Sequence, residues 1–432
     1  MFGCQQNIIK NSDILPFLEY LCKTANKIIN CGIYLARQWY FKCNYITGKY
    51  DLEKELKQNQ NYKFLHSQAA QQTLRGVAES FKSFKELSKK YRSGELENCP
   101  RLPNYRKKGG LGMITYPKQA LRLKGDQVKI PLGRKVKAAF GVEAFWLPFP
   151  TNLDFKKIRE IRILPRNGCF YVEWVYKLEP QQIELDKDKV LGIDHGLDNW
   201  LTCISNRGTG FIIDGKHLKS VNQFYNQQIA TIKENKPQGF WSKRLSRITE
   251  KRNRQMRDAV NKAARLVINH CLENGIGRLV FGWNKGQKDG INIGAKNNQK
   301  FVQIPTGKLK DRLKQLCEQY GIEFVETEES YTSKASFLDD DFLPTFGEKP
   351  RNAVPRSCGN SIPAGSAPES WKPSGKRIKR GLYCTKNGFL INADANGSAN
   401  ILRKVSTKLG FNLNRVSRSD LTTLLRIRFW IA

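Results

Sequence analysis

The second half of the chain alternates short apolar runs with helical patterns, and few folds accommodate that order. The apolar runs are Val190–Asp194, Arg278–Gly282 and Ile322–Val325, each of the length of a strand. A long helical pattern over Trp241–Asn274 and a shorter one over Lys308–Tyr320 separate them. A β-α-β succession of this kind predicts a layered α/β domain.

The first half of the chain shows helical periodicity and then β-strand patterns. Apolar residues recur at helical spacing after the cap signal Asn11–Asp13 and again over Ala70–Phe84, which predicts a helical bundle. Short β-rich runs follow between Pro100 and Leu178. The pair Asn167-Gly168 lies between two of these runs and predicts a hairpin, because both residues tolerate positive φ. We expect this part to form a small barrel or sheet.

The charge of the chain limits the class of its partners. The 74 Lys and Arg residues against 39 Asp and Glu residues give a formal net charge of +35, more than solubility requires. A polyanion such as nucleic acid is the simplest partner, while a ribosome-like protein and a peripheral membrane protein are alternatives. No apolar run approaches the roughly 20 residues that span a bilayer. The N-terminus lacks the pattern of a secretory signal, so we expect a soluble, cytoplasmic protein without a membrane partner.

Three groups of basic residues are candidates for contact with a nucleic-acid backbone, although a solvated loop or helix face explains each of them equally well. The first group lies in a loop and includes a tyrosine on which a base could stack. The second lies on the first half of the long helix. The third lies between Ser336 and Gly381, a segment rich in Pro, Gly, Ser and Lys that we expect to be an exposed, flexible insert. The groups are Tyr105, Arg106, Lys107 and Lys108; Arg244, Arg247, Lys251 and Arg252; and Arg377, Lys379 and Arg380.

Acidic residues at the ends of apolar elements are unusual in so basic a chain. Asp194 ends one strand, a cluster of glutamates follows Ile322–Val325, and Asp394 begins a helix; the glutamates are Glu326, Glu328 and Glu329. Buried carboxylates are costly unless they are paired or bind metal, so their convergence predicts a site for Mg²⁺ or Mn²⁺. Two such ions about 4 Å apart support phosphodiester hydrolysis. Each acid alone is equally consistent with a helix cap or a salt bridge, and Asp394 in particular could be an N-cap.

Three blocks of sequence resemble a known family. They are Gly192-Ile193-Asp194-His195-Gly196, Tyr331-Thr332-Ser333 and Asn392-Ala393-Asp394-Ala395-Asn396-Gly397-Ser398-Ala399-Asn400-Ile401. In this order they look like successive blocks of TnpB, the OrfB-type insertion-sequence protein, a family related to the type V CRISPR effector nucleases. Upstream segments, from Gln5-Gln6 to Ser67–Gln71, are similar as well, so the resemblance covers nearly the whole chain.

The resemblance implies an α+β protein of several domains. An N-terminal β-barrel with an inserted helical bundle would precede an RNase H-like α/β domain of the RuvC type. The implied activity is RNA-guided cleavage of DNA within transposition, with a guide RNA, double-stranded DNA and other transposon-encoded proteins as partners. The expected limits are 1–10 for the first barrel strand, 11–98 for the helical domain, 99–186 for the barrel, 187–405 for the nuclease domain with an insert at about 336–381, and 406–432 for a tail.

The chain departs from the family pattern where a catalytic Glu is expected, because the strand Arg278–Gly282 ends in glycine. Glu329 is the preferred replacement, since neighbouring parallel strands end at the same edge of a sheet, and Glu328 and Glu326 are second choices. The predicted catalytic metal ligands are therefore Asp194, Glu329 and Asp394. The alternative is an RNA-guided DNA-binding protein without cleavage activity, or a transposase accessory factor.

A second departure concerns zinc. Relatives often carry two Cys-x-x-Cys pairs in the insert, whereas this chain has only Cys358 and Cys384 there. Two isolated thiols without a nearby histidine do not complete a four-ligand site. We therefore predict no structural zinc.

Overall fold

The computed structural model describes residues 1–181, 183–284, 304–345 and 371–429. The chain forms two compact units, Met1–Glu179 and Pro180–Ala432. The predicted boundary between residues 186 and 187 falls slightly later, inside the first strand of the second unit. Within the described ranges, no helix has both the length and the apolar character needed to cross a membrane.

The first unit consists of a strand, a set of helices and then further strands, in the order that the sequence predicted. Its strands are β1 (Phe2–Ile8), β2 (Ile114–Pro117), β3 (Arg122–Lys124), β4 (Gln127–Pro131), β5 (Ala144–Pro148), β6 (Ile158–Arg166) and β7 (Cys169–Lys177). Its helices are α1 (Leu15–Cys43), α2 (Lys49–Leu56), α3 (Gln60–Phe64), α4 (Ser67–Arg92) and α5 (Arg134–Phe140). The predicted cap residue Asn11 accepts a hydrogen bond from the Asp13 N–H in the short 3-10 turn before α1.

Two antiparallel sheets lie in this unit, with strand orders β1-β7-β6-β2 and β3-β4-β5. The hairpin predicted between β6 and β7 is confirmed, with φ of 47° at Asn167 and 74° at Gly168. β1 pairs with β7, although the helices lie between these two strands in the sequence. The helices are therefore inserted between two paired strands. The strand orders are those of open sheets, and the barrel that the resemblance implies stays a prediction.

The second unit has the predicted alternation of strands and helices. Its strands are β8 (Asp186–His195), β9 (Asn199–Ser205), β10 (Gly210–Asp214), β11 (Ile276–Gly282), β12 (Glu323–Thr327), β13 (Lys376–Lys379), β14 (Leu382–Cys384), β15 (Leu390–Asn392) and β16 (Leu425–Ile427). Its helices are α6 (Lys216–Lys233), α7 (Lys243–Glu273), α8 (Thr306–Tyr320), α9 (Ala393–Leu409) and α10 (Arg418–Thr422).

A six-stranded sheet of order β12-β11-β8-β9-β10-β16 is the centre of this unit. Strands β12, β11 and β8 are parallel neighbours, while β9 is antiparallel to β8. Residues along β11 alternate between the two faces: Leu279 and Phe281 pack in the cluster that contains α7 and α8, and Val280 packs with Ile401 and Leu402 of α9. Helices thus cover both faces of the sheet, which confirms a layered α/β arrangement.

The segment expected as a tail, 406–432, forms part of the second unit over its described residues. Helix α9 continues to Leu409, and β16 pairs in parallel with β10 at the edge of the central sheet. Arg426 of β16 forms an ion pair of 3.0 Å with Asp214, which is buried. A strand of three residues has too little periodicity to be predicted, because its place depends on the register with β10.

The insert expected at about 336–381 is structured at both described ends. Ser336 is buried, and the three-stranded sheet β13-β14-β15 includes Lys376–Lys379. The carboxylate of Asp341 accepts hydrogen bonds from the N–H groups of Ser336 (2.7 Å) and Ser374 (3.0 Å), which joins the two ends. Because polar groups make these contacts, the sequence of this segment shows no apolar periodicity from which its structure could be predicted. Residues 346–370, with Cys358, lie outside the described residues.

Candidate active site

Three elements of the second unit end at one cavity of about 760 Å³. Asp194 stands at the end of β8, Glu329 follows β12, and Asp394 lies in the first turn of α9; all three side chains line the cavity. The sequence placed these acids at element ends, and the parallel pairing of β8, β11 and β12 brings the ends to one edge of the sheet.

Asp194 carries the strongest electrostatic perturbation of the three. Burial raises the pKa of its carboxyl group well above the ordinary range, and the negative charges of Glu329 and Asp394 raise it further, while Arg377 acts in the opposite direction. The three carboxylates are therefore close enough to repel one another through protein of low polarity. A positive charge placed among them would relieve this repulsion.

Two glycines allow α9 to lie close to β8 at this point. A Cβ atom on Gly397 would lie 2.7 Å from the Asp194 Oδ2 atom, and a Cβ atom on Gly192 would lie 2.9 Å from the carbonyl oxygen of Ser398. The Ser398 hydroxyl donates a hydrogen bond of 2.9 Å to the Gly192 carbonyl. Glycine is thus required in both sequence blocks because a larger residue would separate the helix from the strand.

Asp394 does not cap the helix that it begins. Asn392 is the N-cap, and its side chain accepts hydrogen bonds from the N–H groups of Asp394 (2.9 Å) and Ala395 (3.1 Å). The Asp394 carboxylate instead accepts a hydrogen bond of 2.6 Å from Asn199 and one of 3.3 Å from Arg377. The cap reading of this residue is therefore wrong, and its carboxylate faces the cavity.

Glu329 lies beside the strand end from which the expected acid is missing. Gly282 of β11 is paired with Thr327 of β12, two residues before Glu329. A Cβ atom built on Gly282 would lie 3.4 Å from the Cβ atom of Glu329 and 2.5 Å from the Cδ1 atom of Ile401. Side chains at the two positions would therefore start from adjacent points.

Asn284 and His195 contact Glu329, and sequence reasoning missed both contacts. The Oδ1 atom of Asn284 accepts a hydrogen bond of 3.1 Å from the Glu329 N–H, and its Nδ2 atom lies 3.5 Å from Glu329 Oε1. The His195 Nε2 atom lies 3.6 Å from Glu329 Oε2, and the imidazole ring packs against the rings of Phe281 and Trp283. The only sequence feature that could have indicated these contacts is the position of Asn284, two residues after Gly282.

The two second-choice acids point elsewhere. Glu326 forms an ion pair of 2.8 Å with Lys310, and Glu328 forms one of 3.3 Å with Lys404. Neither glutamate lines the cavity. Of the predicted cluster, the structure therefore brings only Glu329 to Asp194 and Asp394.

A basic rim surrounds the three acids. It consists of Lys216, Arg377, Arg380 and Arg426. Arg380 lies 2.7 Å from the carboxylate of Asp198, and Lys219 contacts the same carboxylate at 2.7 Å. Arg377 and Arg380 were predicted as nucleic-acid contacts, whereas Lys216 and Arg426 were not, because nothing local to them in the sequence indicates the cavity. Lys379 is exposed on β13.

The remaining predicted contacts lie at other places. Arg244, Arg247 and Lys251 are exposed along the first half of α7. Arg252 is half-buried and donates a hydrogen bond of 2.8 Å to Asn222 on α6, so its contacts are structural. The loop that contains Tyr105, Arg106, Lys107 and Lys108 belongs to the first unit and is exposed.

Carboxylates of this kind are the oxygen ligands that Mg²⁺ and Mn²⁺ prefer. Within the described ranges, no three His, Cys, Asp or Glu side chains already stand as a metal-holding group. The chemistry of the donors and their mutual repulsion nevertheless fit a divalent cation, which would require Asp394 to exchange its contact with Arg377. Cys384 lies in β14, but Cys358 is outside the described residues, so the predicted absence of zinc stays a prediction.

Two models of protein families match the chain. The first, OrfB_IS605, described as a probable transposase, matches residues 173–287. The second, the Cas12f1-like TNB domain, matches residues 307–401. Asp194 and Gly282 lie within the first match, and Glu329 and Asp394 lie within the second.

Solved structures of CRISPR effectors have similar chains. A Cas12f1–sgRNA–target DNA complex gives a TM-score of 0.47 at 16% identity, over 76% of each chain. The mini-RNA-guided endonuclease CRISPR-Cas_phi3 gives 0.45 at 11% identity, over 93% of this chain and 92% of that one. A CRISPR-Cas12f ternary complex gives 0.33 at 16% identity, over 91% and 82%. These values are too low to support an argument about function, and no curated protein matches the chain.

The resemblance of the chain to a family therefore rests on the two family models and not on the solved structures. They follow each other along the chain in the order of the three sequence blocks, and each contains residues that line the cavity. Two consecutive family models thus confirm the predicted resemblance of this chain to the OrfB-type insertion-sequence proteins of the TnpB kind.

Proposed function

We propose that this chain is an RNA-guided, Mg²⁺-dependent DNA endonuclease of an insertion sequence, associated with transposition. The observation that carries the proposal is the meeting of Asp194, Glu329 and Asp394 in one cavity with a basic rim. Acids for metal binding and cations for phosphate are the two requirements of phosphodiester hydrolysis by a metal-dependent nuclease. One edge of the central sheet offers residues of both kinds.

Gly282 supports relocation of the second acid rather than its loss. The side chain of Glu329 starts 3.4 Å from where a side chain at position 282 would start, so it can reach the same region of the cavity. Asn284 accepts a hydrogen bond from the Glu329 backbone, and both Asn284 and His195 lie beside its carboxylate, at 3.5 Å and 3.6 Å. An acid that is held by two neighbours loses less conformational entropy when it binds a ligand.

The residues that line or support the cavity would have three different roles. Asp194, Glu329 and Asp394 would hold Mg²⁺ or Mn²⁺, which when bound supplies charge neutralisation and activation of water for hydrolysis. Arg377, Arg380 and the rest of the basic rim would bind the phosphates that flank the scissile bond. Gly192 and Gly397 keep α9 against β8, so the carboxylates at the ends of both elements face one substrate.

The proposed partners are a guide RNA, double-stranded target DNA and other transposon-encoded proteins. The net charge of +35 suits a nucleic-acid partner. Recognition of sequence would rest on base pairing with the guide, while the protein contacts backbone and duplex shape. Binding should weaken as salt is raised.

The test is cleavage of DNA by protein that has been co-expressed with its flanking genomic sequence, in Mg²⁺ and in EDTA. We expect Mg²⁺-dependent cleavage by the parent protein and none by Asp194→Ala or Glu329→Ala. Glu326→Ala and Glu328→Ala are matched controls, because these acids lie close by in sequence but do not line the cavity, and they should keep cleavage.

Three other outcomes would change the assignment. Cleavage that survives Glu329→Ala but not Glu328→Ala or Glu326→Ala moves the second acid to that residue. Cleavage that persists in EDTA contradicts the metal-dependent mechanism. Tight RNA-dependent binding of DNA without any cleavage favours the silent DNA-binding protein, with Gly282 as its cause.

A further inference from the structure

One face of α1 holds the backbone of an exposed loop. Asn26, Asn30 and Arg37 are spaced by four and seven residues, so they lie on the same side of the helix. Their side chains donate hydrogen bonds to three backbone carbonyls, those of Lys107 (3.1 Å), Arg106 (3.1 Å) and Pro103 (3.0 Å), respectively. As residue numbers increase along α1 they decrease along the loop. The segment 103–107 therefore lies along α1 in the opposite direction.

This attachment fixes the loop and turns its side chains outward. The Arg106 N–H donates to Asn30 at 2.8 Å, and the Gly112 N–H donates to the Cys22 carbonyl at 2.8 Å. A Cβ atom on Gly112 would lie 2.8 Å from the Asn26 backbone nitrogen, so only glycine allows so close an approach. Since the helix engages the backbone of the loop, Tyr105 and the basic residues beside it are exposed.

A single guanidinium group connects two exposed aromatic rings on this surface. The Arg37 Cζ atom lies 5.4 Å from the ring centre of Phe41 and 5.5 Å from that of Tyr105. Phe41 is 63% exposed, Tyr105 is 45% exposed, and Tyr34 on the same face of α1 is 57% exposed. We call this surface, formed by residues 103–108 with Tyr34, Arg37 and Phe41, the aromatic ridge.

The charges on the aromatic ridge are available to a ligand. Ion pairs described in the first unit involve other basic residues: Lys23, Arg75, Lys89, Lys129 and Arg162. In the described part of the chain, no carboxylate pairs with Arg37, Arg106, Lys107 or Lys108. Exposed rings with unpaired cations between and beside them suit a ligand that is both flat and negatively charged.

We propose that the aromatic ridge binds single-stranded nucleic acid. Unpaired bases would stack on the rings of Tyr105 and Phe41, and Arg106, Lys107 and Lys108 would contact the phosphates. A duplex is a poorer ligand for this surface because its bases are already stacked on one another, which leaves only the backbone for contact. The loop backbone is held by hydrogen bonds before binding, so little ordering of the loop is needed.

This proposal deepens the proposed function, because it gives the guide strand or a displaced DNA strand a binding surface. It rests on the proposed function only for where the single strand comes from. Binding can be measured without cleavage, in full-length Asp194→Ala protein and in EDTA. A protein that fails as a nuclease can therefore still pass this test, and a nuclease can fail it.

The probes are a fluorescent uridine homopolymer RNA, a thymidine homopolymer DNA and a DNA duplex, each titrated by anisotropy. We expect Tyr105→Ala and Phe41→Ala each to weaken binding of single strands roughly 5- to 150-fold, as for about 1–3 kcal/mol per stacked base. Tyr105→Phe keeps the ring and should bind like the parent. Tyr50→Ala is the second control, because it removes a ring of 67% exposure outside the aromatic ridge.

Salt dependence separates stacking from charge. Lys107→Ala should reduce the slope of log affinity against log salt by about 0.7, the value for one phosphate contact to a single strand, whereas Tyr105→Ala should leave the slope unchanged. Unchanged binding of the duplex shows that a variant is folded. Loss with RNA but not with DNA identifies RNA as the ligand, and the reverse identifies single-stranded DNA.

Two results would overturn the proposal. In the first, Tyr105→Ala and Phe41→Ala bind both single strands as tightly as the parent. In the second, the two variants lose duplex and single-strand binding equally and with a smaller salt slope, which would assign the aromatic ridge to contacts with a duplex backbone.

Discussion

Returning the acid to the end of β11 is the sharpest perturbation of the proposed site. Glu329→Ala removes the carboxylate, and Gly282→Glu introduces one whose Cβ atom would lie 3.4 Å from the original Cβ atom. The same Cβ atom would lie 2.5 Å from Ile401 Cδ1. Ile401→Val removes that methyl group, so the variant to make combines all three substitutions.

The size of the effect follows from these contacts. Ile401→Val should cost about 0.5–1.5 kcal/mol of stability in the core. Without it, the crowding at Gly282→Glu should cost about 1–3 kcal/mol. A glutamate at position 282 would lack the contacts that Asn284 and His195 make with Glu329, and loss of such supporting contacts typically reduces activity about 10- to 100-fold. We therefore expect the triple variant to cleave within about 10- to 100-fold of the parent, while Glu329→Ala alone is inactive.

The assay is the rate of Mg²⁺-dependent DNA cleavage at saturating protein, together with RNA-dependent binding of DNA as a measure of folding. Ile401→Val alone should cleave like the parent, and Glu329→Ala with Ile401→Val should stay inactive. A triple variant that binds DNA normally but does not cleave would refute the reasoning, since it would mean that side chains that start from adjacent points are not equivalent.

Four further outcomes are expected. Asn284→Ala should raise the Mg²⁺ concentration for half-maximal cleavage about 10- to 100-fold, because it releases Glu329, a proposed metal ligand. Gly397→Ala should reduce cleavage, since its Cβ atom would lie 2.7 Å from the Asp194 carboxylate, even though alanine is the better helix former by about 1 kcal/mol. Arg426→Ala should lower thermal stability by about 1–3 kcal/mol, measured by denaturation, because it leaves the buried Asp214 without its ion-pair partner. DNA affinity should fall steeply and linearly on a log–log plot against salt, and a flat plot would contradict a binding mode based on charge.

The fold of the second unit was largely predictable because its elements are long and periodic. The pattern over Trp241–Asn274 corresponds to α7, Lys243–Glu273, and that over Lys308–Tyr320 corresponds to α8, Thr306–Tyr320. By contrast β16 is three residues long and forms because β10 offers an unpaired edge. Its position depends on a partner more than 200 residues away, which no local pattern can indicate.

The candidate site residues also fall into two groups, those that the sequence could indicate and those that it could only rank. Asp194 and Asp394 could be proposed as site residues because each acid follows an apolar run at the end of an element. The choice among Glu326, Glu328 and Glu329 could only be ranked, since it depends on how the chain turns after β12 and on which lysines lie nearby. The identity of the helix cap is a similar case: Asn392 and Asp394 both have side chains suited to capping, and only the backbone conformation selects Asn392.

Relocation and loss of the second acid make different demands on the packing around Gly282. In a protein that had merely lost the acid at position 282, nothing would require another side chain to fill the space of the lost one. Nothing would require another carboxylate to be held beside that space either. Here Ile401 occupies the space into which a side chain at position 282 would project, while Asn284, two residues after the end of β11, accepts a hydrogen bond from the Glu329 N–H and lies 3.5 Å from its carboxylate. Glycine, isoleucine and glutamate thus pack against one another, and a residue larger than glycine at position 282 would meet the Cδ1 atom of Ile401 on the helix that carries Asp394. The arrangement favours relocation, and the Ile401→Val series tests it at the contact on which it depends.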